Sequence, residues 1–313
     1  MTPMSHSNFS HGFGGGLTVR GLPVINTYSG NVVWVDSGGS SNGAGTFQRP
    51  YTSLETAINA ASAGDTIYIK AGHAESIASA TALNFDKAGL TIIGLGQGGR
   101  RPTFTFTTAN TAKIPVSAAN ITIQNCLFVA NFADVATAFL LTTAQDFAVI
   151  NCEFRDTSSI LNFVAIVTTT VSVVANGLVF SGNTVRLLGT TAATTPIKIA
   201  GTHDRVTIND NLFIEAAVAN TSAVLAHGAL VVTNLEMSRN KVFRLGDTAS
   251  GAALITTSST TNTGMVCDNY VKVTDAAGIL LVTAGSIYGM FNNLVSGAAD
   301  TSGFVLPAID TDS

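Results

Sequence analysis

The feature of this sequence that most restricts its fold is a short motif that recurs every 24 to 31 residues. Each copy has an apolar strand end, a mostly polar pair and a return to an apolar position. The copies are TIQNCLF (122–128), VINCEF (149–154), FSGNTV (180–185), INDNLF (208–213), MSRNKVF (237–243), VCDNYV (266–271) and MFNNLV (290–295). One aligned column, called here the corner column, holds Cys126, Cys152, Asn183, Asn211, Asn240, Asn269 and Asn293. A steady period of this size indicates stacked structural repeats.

A second set of apolar fragments lies about halfway between successive copies of the first motif. It comprises LLTT (140–143), IVTT (166–169), IKIA (197–200), VLAH (224–227), LITT (254–257), LLVT (280–283) and FVLP (304–307). Two short strands therefore recur in each period, and no helical pattern separates them. Short strands alone at this period are typical of a parallel β-helix, whose coils stack about 4.8 Å apart. The sequence predicts an all-β fold, with a single parallel β-helix over residues 66–313.

Asparagine has a physical use at a tight corner between two strands. It tolerates the left-handed backbone region that most residues avoid, and its carboxamide can bond to the carboxamides above and below. We therefore expect a ladder of side-chain hydrogen bonds along the corner column. Cys126 and Cys152 are interpreted as small buried substitutes in the same corner, because no histidine or acid cluster accompanies them as metal binding would require.

The chain before the repeat predicts two further segments. Residues 34–65 are expected to form an N-terminal cap in which Thr52 or Ser53 caps a short helix. Residues 1–33 are expected to form an extended arm with no core of its own to enter. We assign partner binding to this arm, through Phe9, Phe13, Leu17, Val19, Arg20 and Leu22. The alternative is that the arm folds back over the first coil as a cap.

Composition and motifs exclude several classes of function. Charged residues make up 11% of the chain and the net charge is −4, so no nucleic-acid-binding surface is indicated. No apolar run has the length of a membrane span, and the N-terminus lacks the pattern of a secretion signal. The glycine-rich run at 94–99 leads into the strand-like TFTFTT, whereas a dinucleotide loop would open into a helix. We expect no nucleic acid, no membrane and no cofactor.

Catalysis on a β-helix would need charged side chains that stack on its outer surface. Three residues after the corner column, Arg155, Arg186 and Lys272 are basic and no position is acidic. A lyase needs several carboxylates that hold calcium, and a hydrolase needs two or three neighbouring acids. The nearest candidates add only Glu153 and Asp156. We interpret this group as solvated surface or as a subunit contact, and we predict no catalytic or metal-binding residue.

Two stretches of the sequence resemble known proteins. The run from AINAASAGDTIYIKAG to GLTIIGLGQGGRRPTF, followed by TIQNCLF-type coils, resembles right-handed, pectate-lyase-like parallel β-helix proteins over residues 50–306. The segment GFGGGLTVRGLPVINTYSGNVVWVDS (12–37), leading into GTFQRPYTSLETAI, is similar to β-helix proteins of tailed bacteriophages. The first resemblance implies a right-handed solenoid, and the second implies a component of a virion.

These observations lead to one expected function and two alternatives. We expect a structural virion protein, a capsid decoration (cement) protein that is assembled in the host cytoplasm and attached to the phage major capsid protein through its arm. Faces poor in charge favour association, so we expect a homo-oligomer, and the family resemblance favours a trimer. The first alternative is a tail spike or fibre module that binds host glycans. The second is a polysaccharide lyase or glycoside hydrolase.

Overall fold

The fold is a parallel β-solenoid. The computed structural model of the chain describes residues 17–19, 22–24, 31–170, 175–189, 194–216, 223–228, 231–245, 252–273, 280–282 and 288–296. Within these ranges, three long parallel sheets run along the molecule, and the chain passes from one sheet to the next. Each strand therefore pairs with the strands of the preceding and following rungs. The predicted fold class, an all-β single parallel solenoid, is confirmed.

The three sheets are called here by their numbers of described strands. The ten-stranded sheet comprises β3 (Val32–Val35), β4 (Thr66–Ile69), β6 (Thr91–Gly94), β9 (Thr122–Gln124), β12 (Ala148–Ile150), β15 (Val179–Ser181), β19 (Thr207–Asn209), β23 (Leu235–Ser238), β26 (Gly264–Cys267) and β29 (Gly289–Phe291). The nine-stranded sheet comprises β5 (Ala74–Ile77), β7 (Thr103–Phe106), β10 (Leu127–Ala130), β13 (Glu153–Asp156), β16 (Thr184–Leu187), β20 (Leu212–Glu215), β24 (Lys241–Arg244), β27 (Tyr270–Val273) and β30 (Leu294–Ser296). The seven-stranded sheet comprises β8 (Ile114–Val116), β11 (Phe139–Leu141), β14 (Val167–Thr169), β17 (Ile197–Lys198), β21 (Leu225–Gly228), β25 (Ala252–Thr257) and β28 (Leu280–Val282). Two short strands, β18 (His203–Asp204) and β22 (Val232–Thr233), also pair in parallel.

Alternation along the strands separates the core from the surface. In β7, with sequence TFTF, both phenylalanines are buried and both threonines are partly exposed, as expected for a strand with one face buried. Phe128 lies opposite Phe104 on one side and Phe154 on the other. Their rings stack with centroids 5.5 and 4.9 Å apart. The core of these rungs is therefore an aromatic column as well as an aliphatic one.

A short helix covers part of the N-terminal end. It spans Leu54–Ala60 (α1), and the Ser53 side chain accepts a hydrogen bond from the Thr56 backbone N at 3.2 Å. Ser53, and not Thr52, is thus the capping residue. The helix buries Leu54, Ala57 and Ile58. Among the described residues, no helix combines the length and the apolar character needed to span a membrane.

The solenoid begins earlier than the predicted division at residue 66. β3 pairs in parallel with β4, so that Trp34 lies opposite Tyr68. Val33 and Val35 face the core, with exposures of 9% and 0%. Burial of this alternate pair explains why residues 32–35 form the first rung, and the strand crosses the predicted boundary between arm and cap.

The predicted extended arm contains an antiparallel pair of strands. β1 (Leu17–Val19) and β2 (Leu22–Val24) pair with each other, with Leu17 opposite Val24, and neither joins a long sheet. Leu17, Val19 and Leu22 of the predicted partner-binding set are in this hairpin. Phe9, Phe13 and Arg20 lie outside the described residues.

Candidate functional site

The corner column lies between the ten-stranded and nine-stranded sheets. From β9 onward, a two-residue corner joins the two strands in each rung, and the column residue is the second of the two. Leu127 is opposite Glu153, and Glu153 is opposite Thr184. This register places Cys126, Cys152 and Asn183 at the same corner of successive rungs.

The asparagines of the column form a continuous hydrogen-bonded ladder. The oxygen of Asn211 accepts a bond from the backbone N of Asn183 at 2.9 Å and from its Nδ2 at 3.2 Å. The next three steps repeat this pair, with backbone distances of 3.1, 3.0 and 3.1 Å and side-chain distances of 2.9 Å. Each Nδ2 also donates to a strand carbonyl of the preceding rung at 2.7–2.9 Å. The ladder therefore satisfies buried backbone groups as well as the carboxamides themselves.

The left-handed residue of each corner is the one before the column, which corrects the expectation that the column asparagine adopts this conformation. These residues have φ between 51° and 67° and are Asn125, Asn151, Gly182, Asp210, Arg239, Asp268 and Asn292. The column asparagines are instead held by burial and by their ladder bonds. At Gly182 the space is also limited, because a Cβ there would lie 2.3 Å from Asn151 Oδ1.

The two cysteines of the column are buried within the corner. Asn183 Oδ1 accepts a hydrogen bond from the Cys152 backbone N at 2.8 Å, so Cys152 takes the first step of the ladder through its main chain. Burial raises the pKa of the Cys152 thiol to about 12 and that of Cys126 well above its ordinary value. Both thiols are therefore protonated at neutral pH, which makes them poor nucleophiles and metal ligands.

A cluster of arginines surrounds one carboxylate on the outer face of the nine-stranded sheet. Glu153 lies 3.6 Å from Arg101, 4.0 Å from Arg155 and 3.8 Å from Arg186. Arg155 and Arg186 are directly opposite each other on β13 and β16. The structure thus brings together three of the four charged residues that the sequence suggested. Arg101, 52 positions before Glu153 in the chain, was not among them.

Asp156, the fourth of these residues, faces the interior. Its Oδ1 accepts a bond from Phe163 N at 2.9 Å, and its Oδ2 accepts bonds from Leu188 N at 2.6 Å and Gly189 N at 3.2 Å. Burial raises the pKa of Asp156 to about 7, although the three N–H donors act in the opposite direction. Asp156 therefore fixes two loops and does not share a face with Arg155.

The later rungs bury further polar groups that the sequence reasoning missed. Glu215 and Arg244 are opposite each other and form an ion pair at 3.2 Å, with both side chains 1% exposed. His227 contacts the Tyr288 hydroxyl at 3.0 Å. Strand alternation was an available signal, since Glu215 follows the inward-facing Phe213 by two positions. Within the described ranges, no group of three or more His, Cys, Asp or Glu residues is arranged to hold a metal ion.

An aromatic cluster lies on the outer face of the first rungs. Trp34 stacks on Tyr68 with centroids 5.1 Å apart, and Phe47 meets Trp34 edge-on at 5.0 Å. Lys70 Nζ is 4.5 Å from the centroid of the Phe47 ring. Phe47 is 54% exposed, so the cluster is accessible to a ligand.

The fold and the corner define this chain as a parallel β-solenoid protein. No family model and no curated protein sequence matches it. Solved structures with a similar backbone include pectate lyase Pel9A, with 14% identity over 90% of this chain and 83% of that one and a TM-score of 0.45. The pectin methylesterase from Aspergillus niger has 17% identity over 90% and 92% of the two chains, with a TM-score of 0.45. ORF18 of Geobacillus virus E2 has 11% identity over 85% and 61%, with a TM-score of 0.38. At these identities the likeness concerns the fold alone.

Proposed function

We propose that this protein is a structural component of a bacteriophage virion, where it decorates the capsid surface as a homo-oligomer, preferably a trimer. The observation that carries the proposal is the hairpin β1–β2, which precedes the solenoid and pairs only with itself among the described strands. It is a separate element that a partner, such as the major capsid protein, could bind. The resemblance of residues 12–37 to phage β-helix proteins supports the same assignment.

The contacts inside the solenoid suit a mechanical role. The asparagine ladder and the stacked phenylalanines connect successive rungs along the interior. Directional side-chain bonds of this kind hold the register between rungs, in addition to the backbone bonds of the sheets. A solenoid with a fixed register between its rungs suits a protein that stabilises a capsid.

We also propose that the protein acts without catalysis. The single acidic residue of the outer cluster, Glu153, is shared by three guanidinium groups. Asp156 is engaged by three backbone N–H groups inside the solenoid. Neither carboxylate is placed to bind calcium or to act as a general acid beside Arg155.

The test is to assemble virus particles with a variant that lacks residues 2–25. We expect a folded solenoid that no longer co-purifies with particles, whereas the body variant Arg239→Gln binds as the parent does. Retained particle binding by the deletion variant, or a body that aggregates because its first rung is uncovered, would contradict the assignment of the arm. A copy number comparable to that of the major capsid protein supports decoration, and sedimentation equilibrium of the free protein gives the oligomeric state.

A second candidate function is a spike or fibre module that binds host glycans without cleaving them. The exposed aromatic cluster of Trp34, Phe47 and Tyr68 favours it, because aromatic faces beside a polar group are common at recognition sites. Phe47→Ala should abolish glycan binding if this function holds, while Phe291→Ala at the far end, where Phe291 is 47% exposed, should not. A few copies per particle, in place of many, would also favour this alternative.

A further inference from the structure

Two arginines face each other across adjacent strands on the outer surface of the solenoid. Arg155 lies directly opposite Arg186 in the parallel pair β13–β16. Their side chains are 48% and 52% exposed. Neighbouring strands are about 4.8 Å apart, and like charges placed directly opposite destabilise a sheet. A negatively charged group beside the pair would offset this repulsion.

Glu153 supplies only part of that counter-charge. Within the described ranges it is the carboxylate that comes within 4.0 Å of Arg101, Arg155 and Arg186, and all three distances, 3.6 to 4.0 Å, exceed a good hydrogen bond. Arg239, another exposed arginine of the solenoid, provides a comparison because its guanidinium group is fully paired with one carboxylate. It donates two bonds to Asp210, at 2.8 and 2.9 Å.

The cluster has an excess of both charge and donors. Three guanidinium groups around one carboxylate carry a formal charge of +2. Arg101 Nε is buried and has no hydrogen-bond partner among the described residues. Buried donors without a partner are costly, and native proteins seldom retain them without a reason. The exposed guanidinium groups of Arg155 and Arg186 leave the excess charge open to solvent, where an anion could neutralise it.

We propose that Arg101, Arg155, Arg186 and Glu153 form a binding site for a dianionic oxyanion, namely the phosphate group of a phosphomonoester ligand. Guanidinium groups bind phosphate with paired N–H donors, and a phosphate monoester carries a charge of about −1.5 to −2 at neutral pH. That charge matches the excess of the cluster, whereas a single carboxylate would neutralise only half of it. Arg155 and Arg186, on neighbouring rungs, would hold the anion between them.

The experiment is isothermal titration calorimetry of the full-length protein at low ionic strength and pH 8, with glucose 6-phosphate as the probe. Glucose 6-sulfate and glucuronate, with one negative charge each, are the comparison probes. We expect glucose 6-phosphate to bind at least about tenfold more tightly than glucuronate, because charge-assisted recognition scales with charge. Equal binding of the three probes would overturn the proposal.

Variants separate this site from general attraction to a basic surface. Arg155→Gln/Arg186→Gln should abolish binding of glucose 6-phosphate, and Arg155→Lys/Arg186→Lys should weaken it about tenfold, because lysine lacks the planar pair of donors. Arg239→Gln is the matched control, since Arg239 has the same 52% exposure as Arg186, and its affinity should be unchanged. An equal loss in Arg239→Gln would overturn the proposal. Melting temperatures of all variants check that the body is folded.

Glu153→Gln provides a test in the opposite direction. The substitution raises the formal charge of the cluster from +2 to +3, so we expect tighter phosphate binding, by roughly three- to tenfold. Weaker binding would contradict the charge argument on which the proposed phosphate site rests. The outcome is independent of particle attachment, because the cluster lies on the body and not on the arm.

Discussion

The rungs before and after residue 170 hold the same solenoid together in different ways. In the N-terminal rungs, residues 91–156, the corner carries cysteines and the interior contains stacked aromatic rings such as those of Phe104, Phe128 and Phe154. In the C-terminal rungs, residues 179–296, the aromatic stack continues through Phe180 and Phe213. Here the corner carries the asparagine ladder, and the interior also contains polar pairs such as Glu215–Arg244. The backbone course therefore does not dictate one kind of core. Non-directional apolar burial and directional hydrogen bonding serve the same geometry.

The largest expected effect comes from the aromatic column. Phe128 is fully buried between Phe104 and Phe154, so Phe128→Ala should lower the free energy of unfolding by about 3–5 kcal/mol. Urea-induced unfolding followed by circular dichroism measures it. Phe243→Ala is the control, because Phe243 is only partly buried on the outer face of β24 and should cost less than about 1 kcal/mol. Equal costs would mean that the stack adds nothing special to the N-terminal rungs.

The next effect concerns buried carboxylates, which have different partners in the two regions. Asp156 is buried with backbone donors only, while Glu215 faces Arg244. The folded-state pKa of Asp156 is about 7, above its unfolded value of about 3.9, so the folded state binds the proton more tightly. This contribution to stability is fully present below about pH 4 and is lost as pH rises through about 7. The difference of roughly three pKa units corresponds to about 4 kcal/mol.

The Asp156→Asn variant isolates this contribution. Because the variant has no titrating group at position 156, the difference in unfolding free energy between parent and variant should change with pH between about 4 and 7 and be flat outside that window. Urea unfolding at pH 4, 5, 6, 7 and 8 gives the curve. A difference that is constant across the series would show that Asp156 keeps its ordinary pKa.

Breaking the ladder should have a somewhat smaller cost. Asn240→Ala removes the acceptor of Asn211 N and Nδ2 and the donor to Ile208 O. Leaving these buried groups without partners should cost about 2–3 kcal/mol in unfolding free energy. Asn292→Gly tests the exposed corner residue, where glycine keeps the φ of 51° and the cost should be a few tenths of a kcal/mol. If both variants lose the same stability, the buried ladder adds nothing beyond what an exposed corner residue contributes.

The smallest expected effect comes from a substitution that extends the asparagine ladder into the N-terminal rungs. Cys152→Asn places a carboxamide where Cys152 Sγ now lies 3.8 Å from Ile123 O, in the same relation that the ladder asparagines have to strand carbonyls. We expect a gain of about 1 kcal/mol, whereas Asn183→Cys should lose stability. Differential scanning calorimetry compares the pair. A loss in both directions would indicate that the aromatic rungs have no room for the amide.

Much of the fold could be predicted because the corner repeats. Alignment of the seven corners, from Cys126 to Asn293, was enough for the solenoid and for the asparagine ladder. The same alignment could not tell which of the two corner residues has the left-handed backbone. In Asn151-Cys152 and Asn292-Asn293 both positions suit a turn, and only burial separates them. That is why the left-handed conformation was placed one residue too late.

Some of the features that sequence reasoning missed depend on contacts between distant parts of the chain, and others had a local signal. Arg101 reaches Glu153 from a turn two rungs earlier, which no local pattern reveals. The β1–β2 hairpin had a local signal, since two apolar runs are separated by Arg20-Gly21, a spacing typical of hairpins. The start of the solenoid at Val32 was also readable, because VVWV is strongly strand-forming.

The asparagine ladder also gives the solenoid a dipole along its axis. Every carboxamide oxygen from Asn211 to Asn293 faces the preceding rung, and the bonds that it accepts all come from that side. Aligned amide dipoles add, as they do along a helix, so the column is negative toward Asn183 and positive toward Asn293. Two such bodies joined head to tail would continue the field, and two joined head to head would oppose it. The direction of this dipole is therefore set inside the core.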